Sequence, residues 1–526
     1  MRRFTFCLVV ALAAALVAVA PAYAAVQNVK VSGDIDIKGI YQNDFDLREA
    51  SRLDNGVTPG GALSATTYDD DSEGGIYLST IRLRVDADLT DNVGATIRLL
   101  NQRPWDTDGT AAGDVELNLG YITLKELLYS PLTVIVGRQD LNYGTGFIVG
   151  EGLLQDPNAV FGGGGTLTSR NTAGTTITPA DNTAQQFSAF NSYDAIRLIL
   201  DFDPITVEGL IAKINETYVS DNDQNLWGVN VGYKFNSYSA EAELYWFGKR
   251  DEAAGVSLVG TDHTSNIRLA GRTFEYNEVH TVGIRGSAEP ITNLKTHGEF
   301  AYQFGTLEDR QAGTLGVGQA GPLSLDRDAW ALDAGGDYTW TNVVYTPSFG
   351  VGYVHFSGEE ESHSGDFGAW DAMYRGSFFT AIHDFLGGFD DTAGNLYTTV
   401  DPDDTSATTN RRLLHLNASV KPVEDLKVAA RYSFIWFDEE PFRPGSRGES
   451  SEKAGDEIDV QVTYDYTEDV QFSLIAAYFL PGDYYTNHNV RIRPTIGLGA
   501  QSTTSVEATR SKDEATLVAG GVKVVF

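Results

Sequence analysis

The sequence predicts an all-β protein, a transmembrane antiparallel β-barrel of about 18 strands with short periplasmic turns and long extracellular loops. Three observations support this prediction: apolar and polar residues alternate along many segments, the connections between them are alternately short and long, and the chain begins with an export signal. The alternation is clear in Leu83–Leu89 and in Val428–Phe434. Strict alternation is typical of strands that have one apolar and one polar face.

Residues 1–24 have the features of a secretory signal peptide. Met1–Arg3 is basic, Phe4–Val19 is apolar, and Ala22–Ala24 supplies the small residues of a cleavage site. We therefore expect residues 25–526 to form one barrel domain in the outer membrane of a Gram-negative bacterium. The only cysteine lies in the leader, so the mature chain is expected to have no disulfide.

Predicted strands are long enough to cross a bilayer at a tilt, which requires roughly 9–11 residues. They lie near residues 27–41, 75–90, 93–105, 114–127, 132–144, 192–204, 205–217, 224–235, 238–251, 278–290, 294–307, 326–340, 345–358, 410–422, 425–438, 455–467, 470–482 and 511–526.

The connections between these strands fall into two classes. Tight turns such as Thr90–Asn92, Asp203–Pro204 and Thr467–Asp469 are rich in Asn, Asp and Pro, whereas segments near 145–191 and 359–409 are long. Short turns of outer-membrane barrels face the periplasm, so an even strand number places both termini there. A soluble β-sandwich would not explain this alternation, and we find no blade repeat of roughly 40–50 residues that would indicate a propeller.

Aromatic residues mark the lipid-facing side of the predicted barrel. Phe300, Tyr302 and Phe304 follow one another at period two, and aromatic side chains are favoured at the lipid headgroups. The last strand is apolar at every second position and ends on Phe526. This ending resembles the signal that the outer-membrane assembly machinery binds. Outer-membrane lipid and that machinery are therefore expected partners.

Charge excludes one class of partner. The formal net charge of −34 becomes −36 when Arg2 and Arg3 leave with the leader, which argues against nucleic-acid binding. The face opposite the apolar one carries acids and bases together. The predicted pore-lining bases are Arg82, Arg84, Arg98, Arg138, Arg197, Arg285, Lys295, Arg411 and Arg431. They are interpreted either as members of cross-strand ion pairs or as a ladder that guides an anionic solute.

Motifs of enzymes and metal sites are weak or missing. The sequence contains no G-x-S-x-G, H-E-x-x-H or C-x-x-C pattern, so we expect no enzyme and no cofactor. Ca²⁺ prefers loop carboxylates, and the acidic loop clusters supply weak candidates. These candidates are Asp69, Asp71, Asp401 and Asp403. Solvated acidic loops are the simpler interpretation.

Several stretches resemble the alginate-export family of outer-membrane β-barrels. Gly137–Gly144 (GRQDLNYG) resembles a family strand end, and Trp370–Tyr374 (WDAMY) resembles an aromatic-Asp-x-x-Tyr loop segment. The hairpin Arg411–Leu426 resembles another family element. Gly455–Asp459 (GDEID) and Phe479–Tyr484 (FLPGDY) occur in the family's order and spacing.

The resemblance implies a barrel of 18 strands and a basic pore for a polyuronate. It also draws attention to three loop residues, Trp370, Asp371 and Tyr374. The loop after Met373 lacks the family's Pro-Thr-x-His run, and the wall carries acids beside its arginines. The solute therefore stays open between a small anion and an anionic polysaccharide.

The sequence thus predicts a passive outer-membrane porin of the alginate-export type, gated by the loops at 145–191 and 359–409. The alternative is a barrel that encloses a periplasmic protein partner, such as a multihaem cytochrome in electron transfer. The sequence has no C-x-x-C-H, so any haem would belong to that partner. An enzymatic barrel is the weakest hypothesis, because no catalytic Ser/His or Asp/His set can be assembled.

Overall fold

The computed structural model describes the parts of the chain that form the barrel and some of its connections. These parts are residues 28–44, 74–105, 115–128, 131–150, 192–215, 224–251, 277–309, 323–358, 366–377, 379–384, 409–439, 451–483, 489–492, 506–509 and 514–526. Within these ranges, no helix is long and apolar enough to span a membrane. The predicted signal peptide lies outside the described residues.

The described chain is built almost wholly from β-strands. In chain order they are β1 Asn28–Asn43, β2 Gly74–Thr90, β3 Val93–Pro104, β4 Glu116–Leu124, β5 Leu132–Gln139, β6 Tyr193–Asp201, β7 Ile205–Asn215, β8 Gln224–Lys234, β9 Glu241–Asp251, β10 Asn277–Ile291, β11 Leu294–Asp309, β12 Leu323–Thr339, β13 Ser348–Phe356, β14 Asp366–Phe367, β15 Arg411–Val423, β16 Leu426–Trp436, β17 Lys453–Asp465, β18 Val470–Pro481, β19 Asn489–Ile492, β20 Val506–Thr509 and β21 Ala515–Val525. All but β14, β19 and β20 form the wall, so the predicted number of 18 is confirmed.

The wall closes on itself through its first and last strands. Strand β1 pairs antiparallel with β2 on one side and with β21 on the other. Phe526 and Gly33 exchange backbone hydrogen bonds of 2.8 and 3.0 Å, so the pairing continues to the last residue. Every wall strand is antiparallel to both of its neighbours. Closure leaves no unpaired edge in the wall.

Alternation of side chains divides the wall into an apolar outer face and a polar inner face. Ile81 and Leu83 are about 40% exposed on the outside, and Arg82 between them turns inward to Asp34 on β1. Aromatic pairs lie near the strand ends on the outer face, as in the contact of Tyr338 with Trp340. This arrangement follows directly from the period of two in the sequence.

Some strand boundaries differ from the prediction. Strand β5 ends at Gln139 instead of residue 144, because the chain then leaves the wall and buries Leu141 and Phe147 inside the barrel. Strand β13 begins at Ser348 instead of residue 345, since Tyr345 and Thr346 adopt positive φ in a turn. Local backbone conformation therefore ends strands that side-chain alternation alone would extend.

Short turns join neighbouring strands at one end of the wall, as the sequence predicted. The turn between β2 and β3 spans only Asp91 and Asn92, and that between β10 and β11 only Thr292 and Asn293. The long loops predicted near 145–191 and 359–409 are described at 145–150, 366–377, 379–384 and 409 only.

Gly305 on β11 provides a test of the wall geometry. It has a φ of 146°, and a Cβ at this position would overlap the carbonyl oxygen of Glu278 on β10. We expect Gly305→Ala to destabilise the barrel by about 1–3 kcal/mol, because an L side chain strains this backbone. The shift in the urea unfolding midpoint of the refolded barrel measures this change. Gly298→Ala on the same strand is the control, since its Cβ would meet nothing within 4 Å. Equal midpoints for the two variants would contradict the prediction.

Candidate functional site

Most lumen arginines are paired with a carboxylate. Arg82 on β2 donates to both oxygens of Asp34 on β1, with Nε to Oδ1 at 2.9 Å. Arg197 on β6 donates to both oxygens of Glu208 on β7 at 2.7 and 2.9 Å. Bidentate contacts of this kind are strong and orient both partners. They place opposite charges side by side across the inner wall.

Three further arginines follow the same pattern. Arg285 on β10 contacts Glu243 on β9 at 2.6 Å and lies 3.9 Å from Glu299 on β11. Arg84 contacts the carboxylate of its own strand neighbour two residues on, and Arg98 contacts Asp140 at 3.0 Å. These contacts match the ion-pair interpretation of the predicted set better than a ladder of free cations.

Arg138 differs from its predicted place in the pore. It pairs in register with Asp194 on β6, and Asp194 shares a face with Ile196, which is 49% exposed on the outside. Arg138 therefore lies on the outer face at the end of β5 and donates to the hydroxyl of Ser192 at 2.8 Å. Side-chain alternation did not settle its direction because Ile135 and its neighbours are apolar on both faces of this strand.

Arg431 and Lys295 lie on the inner face with different surroundings. The Arg431 guanidinium donates to Oδ1 of Asn417 at 2.9 Å and to the carbonyl oxygen of Phe379 at 2.7 Å. Both acceptors are uncharged. Lys295 pairs in register with Asp337 on β12. Among the described residues, no carboxylate lies within 4.0 Å of either cation.

Two stretches of chain leave the wall and pack inside the barrel. We call residues 140–150 the first inward segment, and residues 366–377 with 379–384 the second inward segment. Tyr374 joins them, since its N–H donates to the Ile148 carbonyl at 3.0 Å and its carbonyl accepts from Gly150 at 2.8 Å. Gly376 also donates to the carbonyl of Gly146 at 2.7 Å. The two segments thus form one unit in the lumen.

Aromatic packing stabilises this unit against the wall. Phe147 stacks on Phe356 of β13 with ring centroids 5.3 Å apart, and Trp370 lies 6.4 Å from Phe147. Trp370 and Tyr374, which the family resemblance had singled out, are both almost fully buried here. Their place in this core gives them a structural role in holding the inward segments together.

Asp371 ties the second inward segment to three strands. Its carboxylate contacts Lys249 of β9 at 3.1 Å and Arg327 of β12 at 3.8 Å, and its backbone exchanges hydrogen bonds of 2.8 Å with Gln303 of β11. Burial alone would raise the pKa of the Asp371 carboxyl, but the two cations hold it below its usual value. A charged, fully paired carboxylate is therefore the anchor at this end.

Arg411 lies deep in the same region. It is buried on β15, contacts the ring of His383 with Nη1 to Nδ1 at 2.6 Å, and lies over the Phe437 ring at 5.1 Å. Burial lowers the pKa of His383 well below its usual value, and the Arg411 charge lowers it further. A neutral imidazole can accept a hydrogen bond from the guanidinium. Arg411 therefore supports the inward segment instead of an open pore.

Glu457 of β17 contacts the other end of the second inward segment. Its carboxylate accepts the backbone N–H groups of Ala381, Ile382 and His383 at 2.8, 2.7 and 2.8 Å. Glu457 itself is 1% exposed. The three consecutive backbone N–H groups replace hydrogen bonds that the Glu457 carboxylate would otherwise make with water, which offsets the cost of burying it.

A polar chamber lies in the lumen beneath this contact. Its volume is about 570 Å³, and it extends from the second inward segment to the periplasmic ends of β12, β13 and β16. Two cations, two acids and five uncharged polar residues border it. These residues are Lys427, Arg431, Asp337, Asp459, Ser348, Thr380, Asn417, Ser419 and Gln461.

Lys427 is the chamber residue that the sequence prediction missed. It has the same inward parity as Arg431, four residues away on the same strand, so alternation alone could have identified it. The candidates Asp69, Asp71, Asp401 and Asp403 for a calcium site lie outside the described residues. Within the described ranges, no group of three or more His, Cys, Asp or Glu residues is placed to hold a metal ion.

Comparison with known proteins identifies the family. Residues 182–498 match the model of a family described as alginate export, and this match covers more than half of the chain. The chain belongs to the alginate-export family. The family and the closed antiparallel wall together make it an outer-membrane channel protein, as the sequence predicted. The chain matches none of the curated proteins.

Solved porin structures are similar to this alginate-export family member over nearly their whole length. Pseudomonas aeruginosa OccK2 (OpdF), in complex with glucuronate, is 10% identical, with 95% of this chain and 99% of that chain covered and a TM-score of 0.47. A BenF-like porin from Pseudomonas fluorescens Pf-5 is 10% identical, with 94% and 99% covered and a TM-score of 0.46. An anion-selective porin from Comamonas acidovorans is 12% identical, with 95% and 99% covered and a TM-score of 0.40.

Asp371→Asn tests the anchor of the second inward segment. Loss of the carboxylate removes the counter-ion of buried Arg327 and of partly buried Lys249, which costs about 3–5 kcal/mol. We expect this end of the segment to detach while the wall persists. The measurement is the rate at which a thiol reagent labels a Met373→Cys variant, because Met373 is 5% exposed. Asp366→Asn, an exposed acid in the same segment, is the matched control.

The pH dependence of this anchor follows from the lowered pKa of Asp371. A folded-state pKa below the unfolded value of about 3.9 gives stability that is complete above that value and lost as pH falls through the folded value. Labelling of Met373→Cys should therefore stay slow from pH 7 to pH 5. Acceleration already at pH 5 would contradict the assignment.

Proposed function

We propose that this outer-membrane channel passes anionic solutes, and that its polar chamber binds the carboxylate of a uronate or of a similar organic acid. The observation that carries the proposal is the setting of Arg431, whose guanidinium contacts only the uncharged acceptors Asn417 and Phe379. A cation that lacks a direct carboxylate contact at a wet surface attracts anions, although Asp459 of β17 lies opposite Arg431 in register.

Other arginines of the lumen differ from Arg431 because they contact a carboxylate directly. Arg82, Arg197 and Arg285 each contact a carboxylate at 2.9 Å or less, so their fields are largely cancelled at short range. Lys427 and Arg431 have no carboxylate within 4.0 Å among the described residues, although Asp459 and Asp337 also border the chamber. Two cations without a direct carboxylate contact therefore lie on one strand, β16, and Lys295 of β11 is a third.

The chamber also suits a hydroxylated acid in size and polarity. A volume of about 570 Å³ falls within the roughly 300–1,000 Å³ typical of small-molecule sites. Asn417, Ser419 and Gln461 offer donors and acceptors for hydroxyl groups beside the two cations. A sugar acid needs both kinds of contact, whereas chloride needs only the charge.

The inward segments bear on the alternative of a barrel around a periplasmic partner. The core of Phe147, Trp370 and Tyr374 occupies part of the lumen with the chain's own residues, where an enclosed protein would have to lie. We therefore propose a channel whose constriction is built from its own loops. Passive transport does not require the catalytic groups of an enzymatic barrel.

The double variant Lys427→Ala, Arg431→Ala tests the proposed function. We expect the anion preference, measured as the reversal potential across a planar bilayer in a KCl gradient, to fall by at least twofold. Block of the current by added glucuronate should weaken about tenfold, the effect of losing roughly 1.4 kcal/mol of binding. Lys421→Ala, which removes an exposed cation near the end of β15, is the control. An unchanged reversal potential and unchanged block would refute an anion site at the chamber.

A further inference from the structure

The turn at residues 379–384 is closed by its own hydrogen bonds. Asp384 accepts the N–H groups of Phe379 and Thr380 at 2.5 and 3.1 Å, and its own N–H donates to the Thr380 hydroxyl at 2.9 Å. These bonds shape the turn without any group from the wall. The contact with Glu457 is therefore not needed to form the turn, and its effect is to fix where the turn lies.

Glu457 has the geometry of such an attachment. One oxygen of its carboxylate accepts from Ala381 and Ile382, and the other accepts from His383. A glutamate buried in the wall would be costly if these donors were absent, because a buried carboxylate needs hydrogen bonds or a cation. The attachment is thus held from both sides, by the backbone donors that need acceptors and by the buried carboxyl group that needs donors; Asp459 of β17 lies beside Glu457 and also faces the Ala381 N–H.

The position of this turn determines the environment of Arg431. The Phe379 carbonyl, two residues before Ala381, accepts from Arg431 Nη1 at 2.7 Å. Phe379, Thr380 and Ala381 also border the chamber. These three residues form the side of the chamber that we call its upper boundary. If the turn moves away from β17, the chamber loses this boundary, and the Arg431 guanidinium loses the Phe379 carbonyl, one of its two acceptors.

The opposite end of the second inward segment is attached independently. Asp371 is bound to Lys249, Arg327 and Gln303 on strands that lie on another part of the wall from β17. A change at Glu457 should therefore loosen residues 381–383 from β17, where the contact of His383 with Arg411 remains, and leave the core around Trp370 in place.

We propose that Glu457 is a positioning residue of the channel: its buried carboxylate holds residues 381–383 against β17 and thereby fixes the upper boundary of the chamber and the orientation of Arg431. The effect on selectivity rests on the proposed function. The effect on the position of the turn does not.

The experiment uses Ile382→Cys as a reporter in the full-length protein, whose mature chain is expected to have no other cysteine. Ile382 is fully buried, so labelling by a water-soluble methanethiosulfonate reports release of the turn. In the Glu457→Gln background we expect labelling at least tenfold faster than in the reporter alone, because an amide offers one acceptor oxygen in place of two. Asp465→Asn, at the exposed end of the same strand, removes one acid without touching the turn and should label as slowly as the reporter.

Selectivity provides the second readout. Glu457→Gln should shift the reversal potential toward the value of Arg431→Ala. Glu457→Asp keeps a carboxyl group on a shorter side chain. It should therefore restore at least part of the slow labelling and part of the wild-type reversal potential. Glu457→Asp also serves if the glutamine variant does not assemble, and should then label faster than the reporter alone. Labelling as slow in Glu457→Gln as in Asp465→Asn would overturn the proposal.

Failure of the two proposals can be told apart. A wild-type channel without anion preference refutes the proposed function, while the labelling rates still decide the role of Glu457. Fast labelling of Glu457→Gln with an unchanged reversal potential supports the attachment and overturns its role in orienting Arg431.

Discussion

The closure of β1 on β21 is the constraint on which the rest of the structure depends. Backbone N–H and C=O groups cannot remain unpaired in a bilayer, so a sheet that spans it must close. The hydrogen bonds between Gly33 and Phe526 complete that closure at the chain's end. An antiparallel wall whose first and last strands meet requires an even number of strands. It also requires side chains to alternate between lipid and lumen, which is the pattern that dominates the sequence.

A wall of 18 strands creates a lumen too wide for its own side chains to fill. The two inward segments respond to this geometry by carrying an apolar core, centred on Phe147 and Trp370, into a polar enclosure. Attaching such a core requires charged groups that are buried and yet satisfied. Asp371 achieves this with two cations and Glu457 with three backbone N–H groups. The contacts that hold the narrowing segments in the lumen are therefore the same contacts that satisfy the buried carboxyl groups.

The strands could be predicted from the sequence because each wall residue faces one of two solvents, and the choice is visible at period two. The prediction failed at Arg138, where Ile135 and Val136 are apolar on both faces and only the register with β6 decides the direction. The inward segments were not predictable in the same way. Their contacts, such as Tyr374 with Ile148, join residues that are far apart in the chain and follow no period. Lys427 was predictable from parity and was overlooked.

An anion-preferring channel is physically consistent with a chain of net charge −34, because selectivity depends on the local field in the narrow part of the lumen. Exposed charges are screened beyond about 8–10 Å at ordinary ionic strength, so acidic residues farther than this from the lumen have little influence on an ion inside it. An arginine that is paired with a carboxylate contributes little to this local field, because its partner cancels the charge at short range. The same pairing stabilises the wall. What remains are the inner-face cations without a direct carboxylate contact, Lys295, Lys427 and Arg431, and the proposed effect of Arg431 on a passing anion depends on the loop segment that Glu457 contacts.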